Sequence, residues 1–133
     1  LMLSLESGGS CTGVAYRLDK HAIETELDVV WRREMFTGAY RPVWTTARTP
    51  DGLESVIVLS ANRKHDRYAP GLEDEVIARY LATGAGPMGR CCDYLFETVA
   101  HLRQLGIRDH RLEALEAKVR AHGVTPETLH ATD

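Results

Sequence analysis

Long apolar runs are missing from this chain of 133 residues. Without about 20 consecutive apolar residues, no membrane-spanning helix is expected and the membrane is not a partner. The opening, Leu1-Met2-Leu3-Ser4-Leu5, lacks a basic lead and a cleavage site, so no secretory signal is expected. Cysteine is scarce: there are 3, an odd number, and Cys91 and Cys92 are adjacent. That is no disulfide framework, and a reducing cytoplasm is the expected location. An excess of basic charge is also missing, with 16 Lys+Arg against 19 Asp+Glu and a net charge of −3. No nucleic-acid partner is expected. None of the 6 histidines forms H-x-x-x-H, and no C-x-x-C exists, so no metal and no cofactor are expected. A G-x-S-x-G nucleophile elbow is absent as well.

What is present is ordinary for a globular domain: 44% hydrophobic and 26% charged residues. The length predicts one domain over 1–133. Residues 1–5 and 11–18 alternate as short strands around Gly8-Gly9, which predicts a hairpin. Asp19 predicts the N-cap of a helix over about 20–35, with Gly38 and Pro42 beyond its end. Two alternating segments, about 40–48 and 53–60, flank Thr49-Pro50-Asp51-Gly52, in which proline presets the turn and glycine takes the left-handed position. Leu53, Ile57 and Leu59 share one face of the second segment, Val56 and Val58 the other. Residues 61–71 read as a loop. Helices follow over about 72–83, 88–105 and 109–122. The second carries the stripe Met88, Cys92, Leu95, Val99 and Leu102, and the third Leu112, Leu115 and Val119, with Asp109 as cap and Gly123 past the end. Residues 125–133 read as a frayed tail. The sum is an α+β fold.

One residue breaks its pattern. On the first helix Ile23, Leu27, Val30 and Trp31 form the apolar stripe, and the next position on it is Glu34. A carboxylate on a buried face is desolvated, which favours its neutral form and suits a general acid or base. The alternative is that the helix is ending there, and Glu34 turns to solvent or pairs with Arg33 or Arg41. Gly84-Ala85-Gly86-Pro87-Met88-Gly89 spells G-x-G-x-x-G, but a helix rather than a strand precedes it, and no acidic residue sits at a strand end some 20 positions on. The dinucleotide reading is therefore rejected. A glycine-rich connection between helices remains, and so does a loop whose amides hold a carboxylate or carbonyl oxygen. Tyr94 lies off the stripe of its helix, either on a second packing surface or in a cleft. Cys91-Cys92 is either a thiol of lowered pKa at a helix start or a pair of small core residues. Tyr40 and Trp44 line a pocket or belong to the core rim.

Taken in order, several strings resemble the ChaC-like family, the glutathione-specific γ-glutamylcyclotransferases. They are Gly9-Ser10-Cys11-Thr12-Gly13-Val14-Ala15-Tyr16-Arg17, then Trp31 to Pro42, then Ala61-Asn62-Arg63-Lys64-His65, then Gly84 to Arg90 with Asp93-Tyr94-Leu95-Phe96, and Leu105 to Asp109. The likeness covers residues 1 to about 121. It implies an antiparallel or mixed, β-barrel-like sheet with flanking helices. It implies cleavage of glutathione without water: the γ-glutamyl amine attacks its own γ-carbonyl, leaving 5-oxoproline and cysteinylglycine. Glu34 matches the family's catalytic glutamate, and Tyr94 its pocket tyrosine. Tyr40, Arg33 and Asn62 are carried over as substrate-binding positions. The family's Tyr-Gly-Ser-Leu segment, whose loop donates to the substrate and the developing oxyanion, has no match in residues 1–133, so the N-terminal strand is expected to be missing. The alternative reading is a non-catalytic remnant of the fold that serves as a binding or interaction domain.

Overall fold

A computed structural model describes residues 3–87 and 89–126. The chain divides after Pro70 into two compact units. Among the described residues are α1 (Ile23–Met35), β1 (Tyr40–Thr49), β2 (Gly52–Ala61), α2 (Asp74–Thr83), β3 (Ala85–Gly86), β4 (Gly89–Arg90), α3 (Cys91–Gln104) and α4 (His110–Ala121). The architecture is α+β, as expected. Both sheets are two-stranded and antiparallel, so the barrel-like sheet expected from the resemblance is not closed in the described residues. No helix among them is long and apolar enough to cross a membrane.

The first unit is built on the β1–β2 hairpin. Its ladder runs from Thr49↔Gly52 to Tyr40↔Ala61. Pro50 and Asp51 form the loop, and Gly52 has φ +128°, which a residue with a Cβ adopts only with strain. The Thr49 hydroxyl ties the turn, accepting from the Asp51 amide at 3.2 Å and donating to the Gly52 carbonyl at 3.1 Å. The half-buried face carries Val43, Ala47, Val56 and Val58, whereas Trp44 and Ile57, directly opposite each other, are exposed.

The expected hairpin between 1–5 and 11–18 does not form. Residues 11–18 are irregular, and Leu5 instead makes one parallel bridge to Ser60. Local alternation is no strand without a partner for its backbone groups. The Leu5 carbonyl finds its donors elsewhere, in the Ala61 amide at 3.0 Å and the Ser60 hydroxyl at 3.1 Å. Next to it Arg63 reaches Glu6 at 2.6 Å. Helix α1 also starts later than expected. Asp19 spends its carboxylate on the His21 amide at 2.7 Å and its carbonyl on the Ala22 amide at 3.0 Å. That makes a turn ahead of the helix rather than a cap. The apolar stripe of α1 is not covered either: none of its residues is buried, and Trp31 is 54% exposed.

The second unit has the core. Ala78 and Leu81 of α2, Cys92, Leu95, Phe96 and Val99 of α3, and Val119 of α4 are buried together. Leu112 and Leu115 pack against them, so the expected α4 stripe is its inner face. Phe96, off the expected α3 stripe, is buried with Arg120 stacked over its ring at 4.5 Å. Helix α3 starts at Cys91 rather than near 88, because Gly89 and Arg90 pair with Gly86 and Ala85 as the small β3–β4 ladder. Asp109 caps α4, accepting from the Leu112 amide at 3.0 Å. Gly106 and Gly123, at φ +70° and +81°, close α3 and α4 in the left-handed conformation that ends many helices. Met88 and, apart from Thr125 and Pro126, the tail expected over 125–133 lie outside the described residues.

Candidate active site

Glu34 sits in the last turn of α1. Its side chain is 21% exposed, although Ile23, Val30 and Trp31 of its stripe are more open to solvent. Arg33 is its partner: Nε donates to Oε1 at 2.6 Å, and the arginine side chain is 76% exposed. The buried face expected for α1 does not form, and of the two readings the pairing with Arg33 at the helix end is the contact seen. The carboxylate is drawn inward from a terminal turn, and it is paired with its neighbour. A partner so open to water holds weakly, and a better-placed charge can displace it.

The chain turns sharply after Glu34. Gly38 has φ +70° and its amide donates to the Met35 carbonyl at 3.1 Å. The next segment is gripped from the end of β2. The Asn62 side-chain amide donates to the Gly38 carbonyl at 2.8 Å, and the Asn62 backbone amide donates to the Ala39 carbonyl at 2.8 Å. The Asn62 Oδ1 accepts from the Lys64 amide at 3.2 Å. So Asn62, expected to bind substrate, uses its side chain within the protein. His65, which the reading of the residues did not single out, lies 2.9 Å by its Nε2 from the Thr37 carbonyl.

Tyr40 follows directly, at the start of β1 and opposite Ala61. Its hydroxyl donates to the Leu3 carbonyl at 3.1 Å. Arg33, Glu34, Tyr40 and Asn62 therefore belong to the first unit, around the exit of α1 and the paired end of the hairpin. Tyr94 stands on α3 in the second unit and is 50% exposed, which fits a position off the buried stripe.

Within the glycine-rich string Gly86 pairs with Gly89, and Ala85 with Arg90 just beyond it. The Cys91 amide, the first of α3, donates to the Gly84 carbonyl at 2.9 Å, so that amide is engaged within the protein. A Cβ at Gly84 would lie 2.7 Å from the Tyr80 carbonyl and 3.0 Å from Cys91 Sγ, which is why glycine stands there. Cys92 is fully buried and Cys91 packs against the core, as small core residues do. Among the described residues no His, Cys, Asp and Glu group could hold a metal ion. An open cleft of about 550 Å³ lies against Gly71, Asp74, Glu75, Arg111 and Lys118, and none of the expected site residues lines it. Its cations are engaged, Arg111 with Asp74 at 3.3 Å and Lys118 with Glu75 at 3.2 Å.

The sequence reading missed a buried carboxylate. Glu116 of α4 is 5% exposed and held by Arg103 at 2.8 Å and Arg120 at 2.7 Å. The signal was available: position 116 follows Leu112 by four and precedes Val119 by three. The same stripe argument that picked out Glu34 picks out Glu116. With two arginines committed to it, Glu116 serves stability.

Residues 1–122 match the family model of ChaC-like proteins. Over 120 residues the chain is 39% identical to the glutathione-specific γ-glutamylcyclotransferase of Escherichia coli (strain K12), covering 90% of this chain and 52% of that protein. The chain thus spans about half the length of the curated relative it matches. With the family model running through nearly all of it, the chain belongs to the ChaC-like family.

Proposed function

We propose that this protein is a γ-glutamylcyclotransferase acting on glutathione, with Glu34 as general acid and base. The observation that carries the reading is Glu34 itself: an inward carboxylate at the end of α1, in a chain similar to an enzyme named for this activity. In the reaction the γ-glutamyl amine attacks the γ-carbonyl and a ring C–N bond forms. The amide C–N bond to cysteine then breaks. Glu34 takes a proton from the attacking nitrogen and returns one to the leaving nitrogen, so no water is consumed. The products are 5-oxoproline and cysteinylglycine. Holding the amine and carbonyl of one substrate in near-attack geometry supplies much of the acceleration. Arg33 would turn its exposed guanidinium from Glu34 to a substrate carboxylate. Tyr40 would line the substrate site and Asn62 would shape it, while Tyr94 is the pocket tyrosine that the family resemblance implies.

The rest of the assignment is of the same kind. One family model crosses both units, which supports a single domain over 1–133. The β1–β2 hairpin, extended by the parallel bridge from Leu5, would be part of the family's barrel-like sheet. Three free cysteines suit a reducing cytoplasm.

Incubating the chain with glutathione and following both products by mass spectrometry tests the proposal. Equal amounts of 5-oxoproline and cysteinylglycine are expected, and no product overturns the reading for this chain. A second reading, a binding domain without catalysis, is favoured by the open apolar side chains of the first unit: Trp31 is 54% and Trp44 69% exposed. It predicts no product and a blue shift of tryptophan emission when a partner covers them.

A further inference from the structure

We propose that His65 is a positioning residue for Glu34, acting as its Nε2–H tautomer through the carbonyl of Thr37. The inference rests on the catalytic reading of Glu34 and deepens it.

Three successive carbonyls leave α1, and each is taken by the segment that follows β2. Thr37 is met by His65 at 2.9 Å, Gly38 by the Asn62 side chain at 2.8 Å, and Ala39 by the Asn62 backbone at 2.8 Å. The contacts cross 28 and 24 residues of chain, so they are tertiary, not local. The grip matters because α1 has little else to hold it. None of its residues is buried and only Leu27, Glu34 and Met35 are half-buried, so packing holds its rotation and tilt weakly. Glu34 lies three residues before the first clamped carbonyl, within one helical turn. Its carboxylate therefore takes its place from the clamp.

The tautomer follows from the other ring nitrogen. The Arg67 amide donates to His65 Nδ1 at 3.1 Å, so Nδ1 carries no proton. The proton of the neutral ring is then on Nε2 and is donated to the Thr37 carbonyl. The loop that presents the ring is braced as well: the His65 amide donates to the Asn62 carbonyl, and the Tyr68 amide to the His65 carbonyl, both at 2.9 Å.

Three substitutions separate positioning from a merely structural role. His65→Gln keeps a side-chain N–H long enough to reach the Thr37 carbonyl. His65→Asn keeps a short acceptor near the Arg67 amide but cannot reach Thr37, and His65→Ala keeps neither. We expect the Ala and Asn variants to lose roughly 10- to 100-fold in kcat with KM within about threefold of wild type, and Gln to restore most of the kcat. Rescue by Asn and not by Gln, or wild-type kcat in all three, overturns the proposal. Two readouts are independent of turnover. Imidazole ¹⁵N shifts should report the Nε2–H tautomer in the wild type. Hydrogen exchange over residues 34–39 should quicken about tenfold in the Ala and Asn variants and not in Gln. If the wild-type chain forms no product, the catalytic reading fails by itself. The clamp then stands or falls on these two measurements, and an Nδ1–H ring or unchanged exchange overturns it.

Discussion

Glu116 of α4 and Arg103 of α3 meet at 2.8 Å, with Arg120 on the other carboxylate oxygen at 2.7 Å. Burial pushes the Glu116 carboxyl up, but the bonds from Arg120 and Arg103 outweigh it and hold it below the ordinary carboxylate value. Arg108 lowers Glu113 and Lys118 lowers Glu75 in the same sense. A folded-state value below the unfolded one contributes stability above the unfolded value, about 4.3 for glutamate, that is lost as pH falls through the folded one. The melting temperature should therefore be level near neutrality and drop below about pH 4.5. Glu116→Gln should flatten part of that drop and cost about 1–2 kcal/mol at pH 7, a modest figure because both arginines are half exposed. Circular-dichroism melts across pH check both, and an acid profile indifferent to Glu116 would contradict the account.

Glu34→Gln should lower 5-oxoproline formation by at least about 100-fold, the scale of general acid–base catalysis. The substitution keeps the shape of the side chain and removes only a half-exposed ion pair. The melting point should therefore move by no more than about 3 °C. Wild-type rates in the Gln variant would remove Glu34 from the chemistry.

Gly84→Ala should cost about 1–3 kcal/mol, because its methyl group would press on the Tyr80 carbonyl and Cys91 Sγ. Gly86→Ala is the matched control: nothing lies within 4 Å of its Cβ position, and its cost should stay below about 1 kcal/mol. Urea unfolding of the two variants measures the difference.

Trp31 and Trp44 are the 2 tryptophans of the chain, and both are exposed. Native emission should be red-shifted, and acrylamide should quench it nearly as well as it quenches free indole. A blue-shifted, protected signal would mean that these side chains are covered in solution.

Much of the local structure was readable because its causes are local. Pro50 and Gly52 dictate one tight hairpin turn, and Asp109 finds its own Leu112 amide three residues on. The spacing of Cys92, Leu95 and Val99 put those three inside. Where the cause was distant, the reading went astray. Residues 11–18 alternate but form no strand pairing among the described residues, and Leu5 goes to Ser60, 55 residues away. Asn62 is a plausible substrate ligand by resemblance, yet its amide is spent on Gly38. Nothing in the local pattern announces that bond. Glu116 was legible from its spacing to Leu112 and Val119, although the sequence reading did not single it out.

Legible along the chain were the α+β class, the β1–β2 turn, the C-terminal ends of α3 and α4, and Glu34 as a carboxylate that continues an apolar spacing. Each follows from backbone preference or helical period, which act within a few residues. What holds those pieces together comes from contacts distant along the chain. The tertiary structure sent Leu5 to β2, buried Glu116 between two arginines, left the apolar stripe of α1 open, and locked the exit of α1 onto Asn62 and His65. A buried polar group must find a partner wherever the chain folds one within reach, and that choice is made in space, not along the sequence.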